Sequence, residues 1–256
     1  METKIRRSYY STLLRYKPDL GTIPILHSVI NVLMSITAFV LVFAMITPLS
    51  MADVMNPGVF SPDSKPYGYT FAQWSEKWWQ WFLSIPAPQN PGSDTSGRYC
   101  GIGQTNPNIW YLTGAGSGTY VRTCTVPAGR AILFQPAGNE CSFVENPSLK
   151  TESELRACAI SGDQVSSIHV TVDGKNIQNL QTYIVQTPLF NLRFPENNIL
   201  GQPAGLTQAV SHAYVIMLQP LTPGKHELHF DQVTLGSPET GTGNFAYDIT
   251  YHLNIS

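Results

Sequence analysis

The last eleven residues before the terminal serine, 245-FAYDITYHLNI-255, decide the fold class. Phe245, Tyr247, Ile249, Tyr251, Leu253 and Ile255 alternate with Ala246, Asp248, Thr250, His252 and Asn254. A period of two is the mark of a β-strand with one face on a core and the other in solvent. Upstream, His212 to Gln219 and Lys225 to Asp231 read as strands paired across the Pro-Leu-Thr-Pro-Gly turn at 220–224. That register would set Leu218 opposite His226, with His226 on the core face and His229 outside. Ser167 to Val172 runs into Asp173-Gly174, a hairpin signal, and Tyr183 to Val185 and Leu189 to Phe194 continue the pattern. Ile109 to Leu112 and Thr119 to Val126 flank Gly114, Gly116 and Gly118 as a glycine-rich hairpin, and Ala131 to Gln135 is a further apolar strand. About nine short strands separated by turn signals predict a mainly β domain, a two-sheet sandwich or jelly roll. Composition agrees, since charged residues are 12% of the chain while 20 glycines and 19 prolines supply turns.

One segment stands apart from the strands. TFAQWSEKWWQWFLSI, residues 70–85, holds four of the chain's 5 tryptophans. Thr70 with Gln73 is a capping-box signature, and Pro86 and Pro88 end the segment, so an amphipathic helix is bounded at both ends. On a helical wheel Phe71, Trp74, Trp78, Trp81, Phe82 and Ile85 share one arc, while Gln73, Glu76, Lys77 and Gln80 take the other side. Trp79 lies off that arc beside Ala72 and Leu83. It serves either a second packing surface or an aromatic platform for a ligand. Thr151 with Glu154 marks a second, shorter helix that ends near Gly162 and carries Cys158.

The N-terminal side has a different character. Residues 29–46, VINVLMSITAFVLVFAMI, contain no charge, and as a helix they would span about 27 Å against the ~30 Å of a bilayer core. Residues 23–50 are therefore expected to form a transmembrane or signal-anchor helix that binds the membrane. Lys4, Arg6, Arg7, Arg15 and Lys17 make residues 1–22 a basic leader that stays in the cytoplasm, with the rest outside. Ser50-Met51-Ala52 resembles a signal-peptidase site, so cleavage after Ala52 would release a secreted form. Residues 51–69, rich in turn signals, are expected as a linker, and 70–256 as the extracellular domain. Cys100, Cys124, Cys141 and Cys158 all lie on the exported side, and an even count there reads as two disulfides. Joining neighbouring segments favours Cys100 with Cys124 and Cys141 with Cys158. The exported part is mildly acidic with no Lys/Arg cluster, which leaves no footprint for nucleic acid.

Several strings occur together: W-x3-W-W-x-W-x2-S-I-P from Trp74 to Pro86, G-x2-C-x2-G-Q from Gly97 to Gln104, R-x-C-x-V-P-A-G from Arg122 to Gly129, and L-x-P-L-x-P-G-x-H-x-L-x-F from Leu218 to Phe230. With Asp248, Tyr251 and Leu253 near the end, they resemble a family of exported bacterial and archaeal proteins of unknown function. The resemblance spans residues 67–255 and implies export and a compact β domain. It brings no substrate, cofactor or site residue.

Chemistry-bearing residues are few. Asn139, Glu140 and Glu145 around Cys141 read as a polar loop, with Asn139 and Glu140 as candidate binding residues beside Trp79. His169, His212 and His252 lie on or at the ends of different strands and could converge on a metal, whereas His226 and His229 point to opposite faces of one strand. No nucleophile elbow, zinc helix or calcium loop is present, and the sequence names no cofactor. These residues support an exported binding module for a glycan or an envelope protein. The alternatives are an extracellular metal-dependent enzyme and a structural envelope component.

Overall fold

A computed structural model describes residue 56, residues 58–236 and residues 243–256. The expected basic leader, apolar run and cleavage site lie outside the described residues. Among the described residues no helix is long and apolar enough to cross a membrane.

Ten described strands form two five-stranded sheets. The first sheet runs β1 (Ile109–Leu112), β3 (Ala131–Ser142), β8 (Gly205–Leu218) and β6 (Ile184–Gln186), with β7 (Phe190–Phe194) also on β8. The second runs β2 (Gly118–Val126), β10 (Phe245–Ile255), β9 (Gly224–Thr234), β4 (Val165–Val172) and β5 (Lys175–Asn176). The expected alternation holds in β10: Tyr247, Ile249, Tyr251, Leu253 and Ile255 are buried and the intervening residues are not. The β4–β5 hairpin also forms, with Asp173 and Gly174 both at positive φ (50° and 74°), as a two-residue I′ turn requires.

Two expected hairpins do not exist. β8 and β9 lie in different sheets, and so do β1 and β2, so each connection passes from one sheet to the other. Pro220 and Pro223 lack the N–H groups that would extend a ladder into the turn, which disfavours a tight hairpin there. β8 is buried along its last six residues on both faces, as a central strand covered on two sides must be. β1 pairs in parallel with β3, and β2 in parallel with β10. Nothing local in those sequences marks a parallel neighbour.

Parity along β8 shows what covers each face of the first sheet. Ile216 and Val210 share one face: Phe134, opposite Ile216, stacks on Phe230 of the second sheet with centroids 5.2 Å apart, and Val210 packs with Leu155 and Ala159. Those last two belong to α2 (Glu152–Ser161), which Cys141–Cys158 fastens to β3. Ser211 and Ala209 point the other way, to α1 (Phe71–Ser84), where Ser75 bonds Ser211 at 3.2 Å and Leu83 joins Phe190, Leu192 and Ala209. The capping box of α1 forms as read: Gln73 N–H donates to Thr70 Oγ1 and Thr70 N–H to Gln73 Oε1.

A loop meets the outer edge of β2 at Thr123. Thr123 N–H donates to Ser96 O at 2.9 Å, and Gly97, at φ 88°, approaches so closely that a Cβ would stand 2.4 Å from Thr123 O. Cys100–Cys124 holds that loop in place, which covers the β2 edge at Thr123. Among the described residues of the expected linker, Asn56, Val59 and Phe60 lie against the strands. Val59 bridges to Leu218 and is buried, Phe60 N–H donates to Met217 O, and Asn56 exchanges hydrogen bonds with the backbone of Gln178. The apolar Val59-Phe60 pair gives this stretch something to bury, which turn residues alone would not.

Candidate functional site

β1 ends at Leu112, yet β3 continues to Ser142, so past Phe134 the outer edge of β3 has no described strand beside it. A bulge falls there, between Phe134 and Ala137, around Gln135 and Pro136. Around this uncovered edge opens a cleft of about 450 Å³. Its aromatic wall is Trp78, Trp79 and Phe82 from α1 with Phe245 and Tyr247 from β10, and its polar groups include Gln135, Asn139, Gln232, Thr113 and Thr234. Among the described residues, no Asp, Glu, Lys, Arg or His lines it. Gly114, Gly116, Gly138 and Gly162 supply bare backbone.

The walls are held from beneath. Arg122 on β2 is 1% exposed and donates to the carbonyls of Thr113 at 3.0 Å and Gly114 at 3.2 Å and to the Tyr251 hydroxyl at 2.6 Å. The Tyr251 hydroxyl in turn donates to Thr113 O at 2.8 Å. A buried guanidinium and a buried phenol thus fix the 113–116 wall, although Arg122 Nε and Nη2 have no partner among the described residues. Arg122 also lies over the Tyr251 ring, and the ring's negative face offsets part of the buried charge. On the floor the Tyr247 hydroxyl donates to Pro136 O, and burial pushes its phenol far above the ordinary range, so it stays neutral. Trp78 Nε1 donates to Leu112 O at 2.8 Å, and Gln135 Nε2 to Ser75 Oγ at 3.1 Å.

Two polar atoms in this lining have no partner among the described residues: Trp79 Nε1, a donor, and Gln135 Oε1, an acceptor. Both atoms are buried, on side chains that line the cleft. An unmet buried polar group costs about 1–3 kcal/mol, so each is a place where the fold leaves hydrogen-bonding capacity unused.

The structure brings Trp79 and Asn139 to the same cleft. Trp79 meets Trp78 edge-on at 4.9 Å and packs against two core clusters, so it takes the second packing surface with Leu83 and lines the cleft as well. Asn139 is part of strand β3 and not of a loop; its amide reaches back to the Cys158 carbonyl at 3.4 Å, while Gly162 lies so near that a Cβ there would be 2.2 Å from Asn139 Nδ2. Glu140, expected in a solvated loop, is also in β3 and faces the opposite side, buried. Burial first, and then the neighbouring Glu145, raises its carboxyl well above the usual range. Ser142 Oγ donates to Glu145 at 2.5 Å beside it.

The three histidines do not converge. His169 on β4 pairs with Asp231 at 3.0 Å and His252 on β10 with Glu227 at 3.7 Å, both on the outer face of the second sheet. His212 sits in the other sheet with Asp163 at 2.8 Å. Sheet assignment separates them, and among the described residues no three His, Cys, Asp or Glu side chains gather to hold a metal. His226 faces inward and bonds Asp173 at 2.8 Å. Both disulfides pair neighbouring segments, Cys100 with Cys124 and Cys141 with Cys158.

Sequence reasoning missed Gln135, Gln232, Tyr247 and the 113–116 wall as one site. The local signals were Pro136 inside an apolar strand, which marks a bulge, and the glycine run, which is equally compatible with a plain hairpin.

No family model and no curated protein matches the chain. Among solved structures, PbICP-C in complex with falcipain-2 is 12% identical over 58% of this chain and 99% of its own, with a TM-score of 0.23. The cysteine protease inhibitor EhICP2 from Entamoeba histolytica is 13% identical over 58% and 96%, also at 0.23, and Amebosin is 10% identical over 57% and 99%, at 0.16. Likeness at this level carries no argument about this chain. What stands is a mainly β, disulfide-stabilised domain.

Proposed function

We propose that the chain is an exported, membrane-tethered binding module of the cell envelope, and that its cleft holds one uncharged sugar unit of a glycan. The supporting observation is the lining: five aromatic side chains and several amides and hydroxyls around about 450 Å³, with no ionisable group among the described residues except the neutral Tyr247 phenol. Small-molecule sites fall at about 300–1,000 Å³ with apolar walls and a few polar groups. A sugar ring offers apolar C–H faces to aromatic walls and hydroxyls to amides, whereas a charged ligand would be desolvated here without a counter-charge. Export is supported by the basic leader ahead of the apolar run and by the use of all four cysteines in disulfides.

The test is titration of the full chain in detergent with neutral, anionic and cationic oligosaccharides, read by tryptophan fluorescence and calorimetry. Saturable binding of neutral saccharides is expected, weakened at least tenfold by Phe245→Ala. Phe245 is 39% exposed, so this change should leave the fold intact. Absence of binding to every neutral saccharide would remove the reading.

A further inference from the structure

The uncovered part of β3 is shorter than it first looks. At one end the Tyr247 hydroxyl occupies Pro136 O, and at the other Gly162 closes on Asn139. Between them lie Ala137 and Gly138, and from 136 to 139 at ~3.4 Å per residue the opening is about 10 Å. Gly138 is exposed, and a Cβ there would stand 2.4 Å from the Cβ of Ala213 across the sheet. The backbone is therefore bare at this point and cannot take a side chain without moving β8. The edge of a strand presents N–H and C=O groups suited to another amide, but this opening admits one amide and not a second strand.

The unmet atoms of the lining have the same complementarity. Trp79 Nε1 needs an acceptor and Gln135 Oε1 needs a donor, and a secondary amide carries one of each. Hydroxyl groups alone would satisfy these atoms without preference. Resting on the reading of the cleft as a sugar site, we infer that the sugar unit bears an acetamido group, as an N-acetylhexosamine does. The amide lies over the Gly138 backbone, its methyl group rests on the aromatic wall, and the Trp79 indole and Gln135 amide turn their free atoms to it on binding. A charged amino sugar would find no counter-charge among the described lining residues and is disfavoured.

Chitotriose and cellotriose share the β-1,4 linkage and differ at the acetamido position, so the pair isolates this group. Calorimetry on the full chain in detergent should show chitotriose binding at least tenfold tighter. Trp79→Phe keeps an aromatic ring and removes the donor, and should bring that ratio towards one. Independently of any variant, the indole N–H resonance of Trp79 should shift with chitotriose and not with cellotriose. Equal affinities, or an unmoved Trp79 N–H, would overturn the acetamido assignment while leaving the sugar site standing. If neither trisaccharide nor any other neutral saccharide binds, the cleft reading itself fails and the inference falls with it.

Discussion

Replacing Trp79 by alanine tests whether its position off the main arc of α1 is a packing position. A fully buried Trp truncated to Ala loses about 3–5 kcal/mol. Trp79 is only partly enclosed, though it touches both the main core and the cluster of Leu83, Phe190, Leu192, Phe194 and Ala209. Its indole N–H is buried without a partner among the described residues, and deleting it returns part of the ~1–3 kcal/mol that such a group costs. The edge-on contacts with Trp78 at 4.9 Å and Phe82 at 6.1 Å add about 0.5–1.5 kcal/mol each in the opposite direction. The net expectation is a loss of about 2–3 kcal/mol. Trp78→Ala should cost more, about 4–5 kcal/mol, because Trp78 is 4% exposed and its N–H is donated to Leu112 O, a bond that is lost with the ring. Urea denaturation of the oxidised chain, read by far-UV circular dichroism so that lost tryptophan signal does not interfere, measures both. A cost for Trp79→Ala equal to that of Trp78→Ala, or one below about 1 kcal/mol, would refute the reasoning.

Glu140→Gln should stabilise the protein at neutral pH. The carboxyl of Glu140 titrates well above its unfolded value because burial and Glu145 oppose its charge, so its contribution is fully present below the unfolded value near 4.5 and is lost as pH rises through the folded one. Urea midpoints should therefore favour the variant at pH 7–8 and converge with wild type near pH 4; an advantage that grows on acidification would show the opposite coupling. For the exported topology, protease added to intact cells should digest epitopes placed after residue 60 in a surface-exposed form, and recovery of the full chain in the cytosol would sink that proposal.

Local chemistry is legible in the chain itself. The alternation in β10, the capping boxes at Thr70–Gln73 and Thr151–Glu154, and the Asp173-Gly174 turn all depend on residues within a few positions of each other. Such interactions leave their pattern directly in the chain. Pairing of Cys100 with Cys124 and of Cys141 with Cys158 was also readable, because each bridge spans a short separation, 24 and 17 residues. The partners of each strand were not. A segment with alternating apolar residues is equally suited to a hairpin and to a crossing between sheets, so only packing on both faces of β8 sends β9 to the opposite layer. That same choice separates His212 from His169 and His252, and the extension of β3 beyond β1 turns Glu140 inward while leaving Gly138 bare. The cleft draws its lining from α1, β3, β9, β10 and the 113–116 turn. Each of these segments is ordinary by itself. Their meeting is a property of tertiary packing, where contacts between distant residues decide and no short-range pattern records the outcome.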